Sequence, residues 1–317
     1  MSQVAHLPLD TTAHDLFAHA GVLRKSDGVP GHLVLFIKQA EEVLERVRAD
    51  VRGGEMLDEK ASAFQQLLVD ACRRILCHPI VASNHYLERF GQGVTASQAR
   101  HELQQFSVFA AQFNAAQAQL VANAPTLESY HERLNVLLNE EGIPYEDGFE
   151  GALTGKWNMQ TVHFTWLRNM GRGLDLDFAD LGKIWLASPG TKAFVDSVFK
   201  YYASTDQNTA LGASFGIENW AANYLWEPWI AGMKKLNAGL EKPVDLGYLT
   251  YHDLEEKHHS QATLDELLEN FREPFFDADR FLEAGVAILS EGVQPYYESQ
   301  LATLPDKDAT WPAAACG

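Results

Sequence analysis

Three side chains in the segment 251–259 are spaced so that they could bind one metal site. His252, Glu256 and His259 follow one another at intervals of four and three residues. With 3.6 residues per helical turn, such positions lie on one face of a helix. Two imidazoles and a carboxylate suit a first-row transition metal, especially iron or manganese when more carboxylates contribute. The same segment is also typical of the solvated side of a helix, so a metal site needs ligands from elsewhere.

A carboxylate in an apolar segment offers the next ligand. Glu218 is the only charged residue in the segment 213–222, which otherwise holds mostly apolar and small residues. Burying an ionised carboxylate is costly without a partner. A metal ion supplies such a partner, and so would a lysine or arginine from another part of the chain.

Two further positions could complete a site between helices. His163 lies in the apolar segment 159–167, where it fits either a metal ligand or a hydrogen-bonded core histidine. Glu140 and Glu141 come just before Gly142, at the end of a predicted helix. Acids at that end are disfavoured by the helix dipole, so a nearby cation would explain them. Dinuclear sites in helical proteins are built in this way, from carboxylates and histidines on facing helices.

The elements that must position these residues are predicted to be helices. Apolar residues recur every three or four positions through most of the sequence, and strand-like alternation is nearly absent. The later helices are expected at about 158–170, 191–203, 209–236, 248–271 and 276–300. The fold class is therefore all-α.

The chain is expected to form one helical domain over residues 1–317. The core is placed at about 60–303, with an N-terminal helical extension at about 1–59 and a flexible tail at 304–317. A length of 317 residues allows one large domain, and no internal repeat divides it.

Composition excludes several kinds of partner. The net charge is −18, from 43 acidic against 25 basic residues, without a dense Lys/Arg cluster. Binding to nucleic-acid phosphates needs such clusters, and an acidic surface disfavours anionic membranes. No apolar run of about 18 residues is present, and the N-terminus lacks the features of a signal peptide. A cytoplasmic protein with neither nucleic acid nor membrane as partner is expected.

Taken together, these residues resemble the heme-oxygenase-like diiron oxidases and oxygenases. That family has a Glu in a Glu-x-Gly context, then a His, a second Glu and a His-x-x-x-Asp-x-x-His motif at characteristic separations. Here His163 and Glu218 are 55 residues apart, and Glu218 and His252 are 34 apart, which match those separations. The resemblance covers roughly 67–303 and includes the dipeptide His78-Pro79 before a long helix. It implies a single bundle of about seven core helices.

The resemblance also implies a site for two iron ions with dioxygen as co-substrate. Glu140 and His163 would bind one iron, with Glu218 bridging. The segment from His252 to His259 would complete the site. The implied ligands are Glu140, His163, Glu218, His252, Glu256 and His259. Glu256 stands where the family usually has Asp, which adds one methylene to that ligand.

The first glutamate ligand stays open. Glu140 lies 23 residues before His163, an interval longer than the family's, so the segment 143–157 looks like an insertion. Its glycines suggest a lid over the substrate. Glu140 fits the Glu-x-Gly context, and the alternatives are Glu141, Glu146 and Glu150.

Members of the family oxidise amines or fragment amino and fatty acids, usually in specialised-metabolite pathways. The expected activity is N-oxygenation of an amino acid or amine, with electrons from an external donor because no electron-transfer domain is visible. No catalytic residue beyond the metal ligands can be assigned. Dimers are common on this scaffold, so the resemblance allows a homodimer, although the sequence does not determine the oligomeric state. The alternatives are oxidative C–C cleavage of an amino or fatty acid, a cofactorless oxidase, and a non-enzymatic helical protein of the same scaffold.

Overall fold

The computed structural model describes residues 7–23, 28–143, 159–223 and 225–302. Within these ranges the secondary structure is helical and contains no strand, which confirms the all-α prediction. No helix in the described ranges is long and apolar enough to cross a bilayer. The tail 304–317 lies outside the described residues.

The first half of the chain forms helices of very different lengths. They are α1 (Ala13–His19), α2 (Gly31–Gly53), α3 (Asp58–Ala71), α4 (Pro79–Ala82), α5 (His85–Gln92), α6 (Ala96–Ala122) and α7 (Leu127–Glu140). The longest, α6, begins with a capping box in which Thr95 and Gln98 satisfy each other's backbone amides. A π-helical turn, Cys72–Leu76, extends α3.

The second half supplies most of the interior. Its helices are α8 (His163–Arg172), α9 (Pro189–Ser197), α10 (Gln207–Ala222), α11 (Trp226–Asn237), α12 (Gly247–Arg272), α13 (Ala278–Ile288) and α14 (Gln294–Leu301). Short 3-10 turns occur at Phe178–Asp180 and Ile184–Leu186. A π-helical turn at Val198–Tyr202 extends α9, and another at Leu289–Val293 joins α13 to α14.

The helix predicted at about 209–236 is two helices, which corrects the expectation. The backbone leaves the helical region at Asn223, with φ −110° and ψ 86°. Pro228 then lies in the first turn of α11, where a backbone N–H would have no hydrogen-bond partner within the helix, so its absence in proline costs nothing. The break allows α11 to pack against α5 and α12.

Helix α10 runs through the middle of the protein and is buried on nearly every side. It packs against α12 and α13. Its contact with α13 depends on Gly212, because a Cβ added there would lie 2.0 Å from the carbonyl oxygen of Phe281. One continuous apolar core surrounds it and includes Phe17 of α1 and Tyr296 of α14. The N-terminal helices therefore share the core of the rest of the chain.

A buried acid lies at the junction of α5, α6 and α14. Glu102 is 2% exposed and accepts hydrogen bonds from the hydroxyls of Tyr86 at 2.5 Å and Tyr296 at 2.8 Å. Burial raises the pKa of Glu102 to about 7, although hydrogen bonds from Tyr86, Tyr296 and Gln300 partly oppose the rise. The folded protein therefore holds a proton on this carboxyl well above the pH at which an exposed glutamate loses it.

Substituting Gly212→Ala should destabilise the protein by about 3 kcal/mol, because the added methyl overlaps the backbone of α13. The free energy of unfolding from urea titration measures this. Gly31→Ala is the control: it lies at the start of α2, and its added Cβ meets no atom within 4 Å. That control should change stability by less than about 0.5 kcal/mol. Equal stability of the two variants would contradict the close approach of α10 and α13.

Glu102→Gln should remove a pH-dependent loss of stability. The raised pKa means that the folded state binds more protons than the unfolded state between the usual glutamate pKa and about 7. Wild-type stability therefore falls as pH rises through that window, whereas the amide cannot ionise. Relative to wild type, the variant should gain about 2 kcal/mol between about pH 5.5 and about pH 8.

Urea titrations of both proteins at the two pH values measure this gain. Glu241→Gln, at an exposed loop position, is the control and should show no such gain. If the difference in free energy of unfolding between wild type and Glu102→Gln were the same at both pH values, Glu102 would titrate like an exposed acid.

Candidate metal centre

The inward face of α12 carries three of the predicted ligands. The exposed fractions of His252, Glu256 and His259 are 2%, 7% and 2%. By contrast, the two residues between Glu256 and His259, which are Lys257 and His258, are exposed. The four- and three-residue spacing thus places all three side chains in the interior. It also directs them toward α7, α8 and α10.

The first cluster joins three helices. Glu140 is the last residue of α7, His163 is the first residue of α8, and His252 lies on α12. Glu140 Oε2 is 3.2 Å from His163 Nδ1, and Glu140 Oε1 is 3.6 Å from His252 Nε2. One ligand atom from each residue lies within 4.8 Å of the others, so the three could hold one metal ion.

The second cluster joins α10 to the next part of α12. His259 Nδ1 is 3.2 Å from Glu256 Oε2 and 3.6 Å from Glu218 Oε2. Ligand atoms of these three residues also lie within 4.8 Å of one another. A second ion could therefore be held by two carboxylates and one imidazole.

The six predicted ligands divide between the two clusters in a way that the sequence did not specify. His252 lies with Glu140 and His163, whereas Glu218 lies with Glu256 and His259. The reason is helix geometry: residues seven apart share a face but are separated by about 10 Å along the helix axis. His252 and His259 therefore serve different clusters.

Of the two described candidates for the first glutamate, Glu140 lies in the cluster. Glu141 instead accepts a hydrogen bond from Asn114 Nδ2 of α6 at 2.9 Å. Glu146 and Glu150 lie outside the described residues, as does most of the proposed lid at 143–157.

Burial and mutual contact shift the pKa values of side chains in both clusters. Burial alone would raise the pKa of Glu140, but His163 and His252 outweigh it and hold that pKa well below the usual value. Burial raises the pKa of Glu218 to about 8, against the opposing effect of His259. Burial would lower the pKa of His259, yet Glu256 and Glu218 raise it to about 9. A bound metal would displace protons from such groups.

Neighbouring groups fix the orientation of the ligands. His252 Nδ1 donates to the carbonyl oxygen of Tyr248 at 2.7 Å, which leaves Nε2 directed at Glu140. Among the described residues Nε2 has no hydrogen-bond partner. Such a hydrogen bond on the second ring nitrogen is the usual support of a metal-binding histidine. On the other cluster, the hydroxyl of Tyr202 donates to Glu218 Oε1 at 3.0 Å.

Aromatic rings support the first cluster from outside. The ring of His163 stacks on Trp166 with centroids 5.0 Å apart, and Tyr251 packs edge-on at 4.8 Å. Tyr251 is itself held by Asn139 Nδ2, which donates to its hydroxyl at 2.9 Å. Trp166 lies three residues after His163 on α8, so local spacing already places it beside that histidine. Tyr251 and Asn139 come from α12 and α7, which meet α8 only in the folded chain.

Both clusters line one small cavity of about 40 Å³. Its volume accommodates a few water molecules. Five of the six cluster residues reach it, and the walls are mainly aromatic. The aromatic lining residues are Phe106, Phe109, Phe113, Trp220, Trp226 and Tyr248. The three phenylalanines of α6 were not among the predicted site residues, since none of the predicted ligands lies on that helix.

No model of a known protein family matches the sequence, and no curated protein is significantly similar to it. The geometry alone therefore defines the class of site: paired glutamate and histidine clusters inside an all-α protein. The donor set fits a metal. It consists of three carboxylates and three imidazoles, with an imidazole nitrogen of His252 left for a ligand. Such oxygen-rich sets suit iron or manganese.

Glu140→Ala should lose the ion of the first cluster, because its carboxylate lies between the two imidazoles that would share that ion. Calorimetric titration of the metal-free protein with Mn(II), under argon, measures the number of ions bound. Glu141→Ala is the matched control one residue away and should keep the wild-type stoichiometry. Loss of binding in Glu141→Ala with retention in Glu140→Ala would reverse the assignment.

Proposed function

We propose that this protein is a non-haem diiron oxygenase that uses dioxygen, built on a heme-oxygenase-like helical bundle of about seven core helices. The observation that carries the proposal is the pair of adjacent clusters, which four helices (α7, α8, α10 and α12) bring to one small cavity. The resemblance in ligand order and spacing points to the same class.

The ligand types favour iron. In the first cluster two histidines and one carboxylate meet, which is the combination used by many non-haem iron oxygenases. In the second cluster Glu218 and Glu256 join His259, which gives the harder, more anionic environment typical of carboxylate-bridged helical sites. Both clusters lack a cysteine ligand, which would favour softer metals.

Iron bound in these clusters would supply the electrons that activate dioxygen. The chain's own residues position and protect that chemistry. Tyr202 holds one oxygen of Glu218, and the carbonyl of Tyr248 orients His252. The aromatic side chains that line the cavity are apolar, and an apolar lining helps to protect a reactive oxidant from side reactions.

The proposed reaction is N-oxygenation of an amine or amino acid within a specialised-metabolite pathway, with an external electron donor. In the described cavity lining, the charged residues are the carboxylates and histidines of the clusters, and no lysine or arginine is present to bind a substrate carboxylate. An amine is therefore favoured over a free amino acid. A substrate larger than a few water molecules would require the walls to move.

Oxidative C–C cleavage is the second candidate, and the apolar lining favours it. Phe106, Phe109 and Phe113 would suit an alkyl chain. Mass spectrometry of the products formed under ¹⁸O₂ separates the two reactions. N-oxygenation places label on nitrogen, whereas cleavage releases a shortened carbon chain.

Anaerobic loading with Fe(II) should give about two iron ions per chain, followed by dioxygen consumption when air is admitted. Glu218→Ala and His252→Ala should each bind less iron and lose dioxygen consumption, because each removes a ligand from a different cluster. Iron analysis and an oxygen electrode measure both quantities.

His258→Ala is the control for these variants. It lies on α12 beside His259 but is exposed, so iron content and dioxygen consumption should stay at the wild-type level. Wild-type protein that binds less than about one iron per chain would contradict the diiron proposal and favour a cofactorless or non-enzymatic protein.

A further inference from the structure

A chain of oxidisable rings leads away from the metal-centre cavity. Trp220 of α10 forms part of the cavity wall. Its ring centroid is 6.1 Å from that of Tyr297, on α14. Tyr297 in turn lies 5.4 Å from the ring of Tyr86 and 5.1 Å from that of Tyr296. Each of these rings is at most 2% exposed, so the chain is shielded from solvent throughout.

The chain ends at a carboxyl group that can accept a proton. The hydroxyls of Tyr86 and Tyr296 both donate to Glu102, one to each oxygen. Packing alone does not explain an acid there, because a neutral amide could satisfy the two hydroxyls without the cost of a buried charge. The pKa of about 7 means that a large fraction of Glu102 is ionised near neutral pH.

A proton acceptor in this position matters because a tyrosine that loses an electron also loses its phenolic proton. Without a base at hydrogen-bond distance, oxidation of a buried tyrosine is strongly disfavoured, since the charged radical would have no solvation. The network also reaches toward the surface: His101, which is half-buried, donates to Gln300 Oε1 at 2.8 Å.

We propose that Tyr86 and Tyr296 form a tyrosyl radical site. Their electrons reach the metal centre through Tyr297 and Trp220. Glu102 accepts the phenolic proton of the tyrosine that is oxidised. The inference rests on the proposed function, which supplies the oxidant: the metal centre after its reaction with dioxygen. It places a redox site outside the metal clusters, on helices α5, α6 and α14.

The transfer moves one electron to the metal centre and one proton to Glu102. One electron leaves Tyr86 or Tyr296 and passes through Tyr297 and Trp220, and the oxidised metal centre is reduced by one electron. The phenolic O–H bond breaks and an O–H bond to Glu102 forms. The products are a neutral tyrosyl radical and a protonated carboxyl group. In a cavity without substrate, this transfer removes an oxidant that would otherwise attack the aromatic walls.

The test is electron paramagnetic resonance of Fe(II)-loaded protein, frozen shortly after mixing with dioxygen in the absence of substrate. The wild type should show a tyrosyl radical signal, identified by its narrowing in protein made with deuterated tyrosine. The signal should be lost in the double variant Tyr86→Phe with Tyr296→Phe, in Tyr297→Phe and in Trp220→Phe. Glu102→Gln should also lose it, because the amide cannot accept the proton.

Two comparisons separate this inference from indirect effects. Tyr297→Phe keeps a ring of nearly the same size and lies apart from the clusters, so its iron content should stay at the wild-type level while the signal is lost. Tyr130→Phe changes a 41% exposed tyrosine on α7 and should leave the signal unchanged.

The outcomes distinguish failure of the inference from failure of the proposed function. Wild-type protein that binds iron and consumes dioxygen without a tyrosyl signal overturns the inference alone. A signal that persists in the double variant also overturns it, because the radical would then lie elsewhere. Protein that neither binds iron nor consumes dioxygen overturns the proposed function, and the radical site with it.

Discussion

The three carboxylates that point into the interior constrain the rest of this structure. Glu218 and Glu256 are buried, and the side chain of Glu140 is only 14% exposed. Within the described residues, the ion pairs of these carboxylates are all to histidines. Charge in a low-dielectric interior is costly unless it is paired. The surrounding helices bring three histidine side chains into contact with these three carboxylates.

Helix α10 shows how packing supports that arrangement. It carries Glu218 through the centre of the protein, and the absence of a side chain at Gly212 allows α13 to approach its backbone. Residues on neighbouring elements then stabilise the ligands. Tyr202, in the π-helical turn after α9, reaches Glu218. Single-turn π segments are frequent at functional sites, and here one places a hydroxyl beside a candidate ligand.

A second buried acid gives the interior another polar centre. Glu102 differs from the cluster carboxylates because tyrosine hydroxyls rather than histidines contact it. Burial raises its pKa to about 7, and the hydrogen bonds from the hydroxyls only partly oppose that rise. Tyr86 and Tyr296, which contact Glu102, also contact the ring of Tyr297. Tyr297 in turn contacts Trp220, which forms part of the cavity wall. The glutamate and histidine clusters and this network are thus linked through aromatic side chains that also form the core.

The sequence by itself determined that the chain is helical, and its spacing predicted that His252, Glu256 and His259 share one face, because both follow from local periodicity. The family resemblance, through its Glu-x-Gly context, favoured Glu140 among four neighbouring glutamates. Only the tertiary structure decided which ligands meet. It separated His252 from His259 by the rise of the helix, divided the expected helix at 209–236 near Asn223, and brought the phenylalanines of α6 to the cavity. Those contacts join residues far apart in the chain, and no local pattern encodes them.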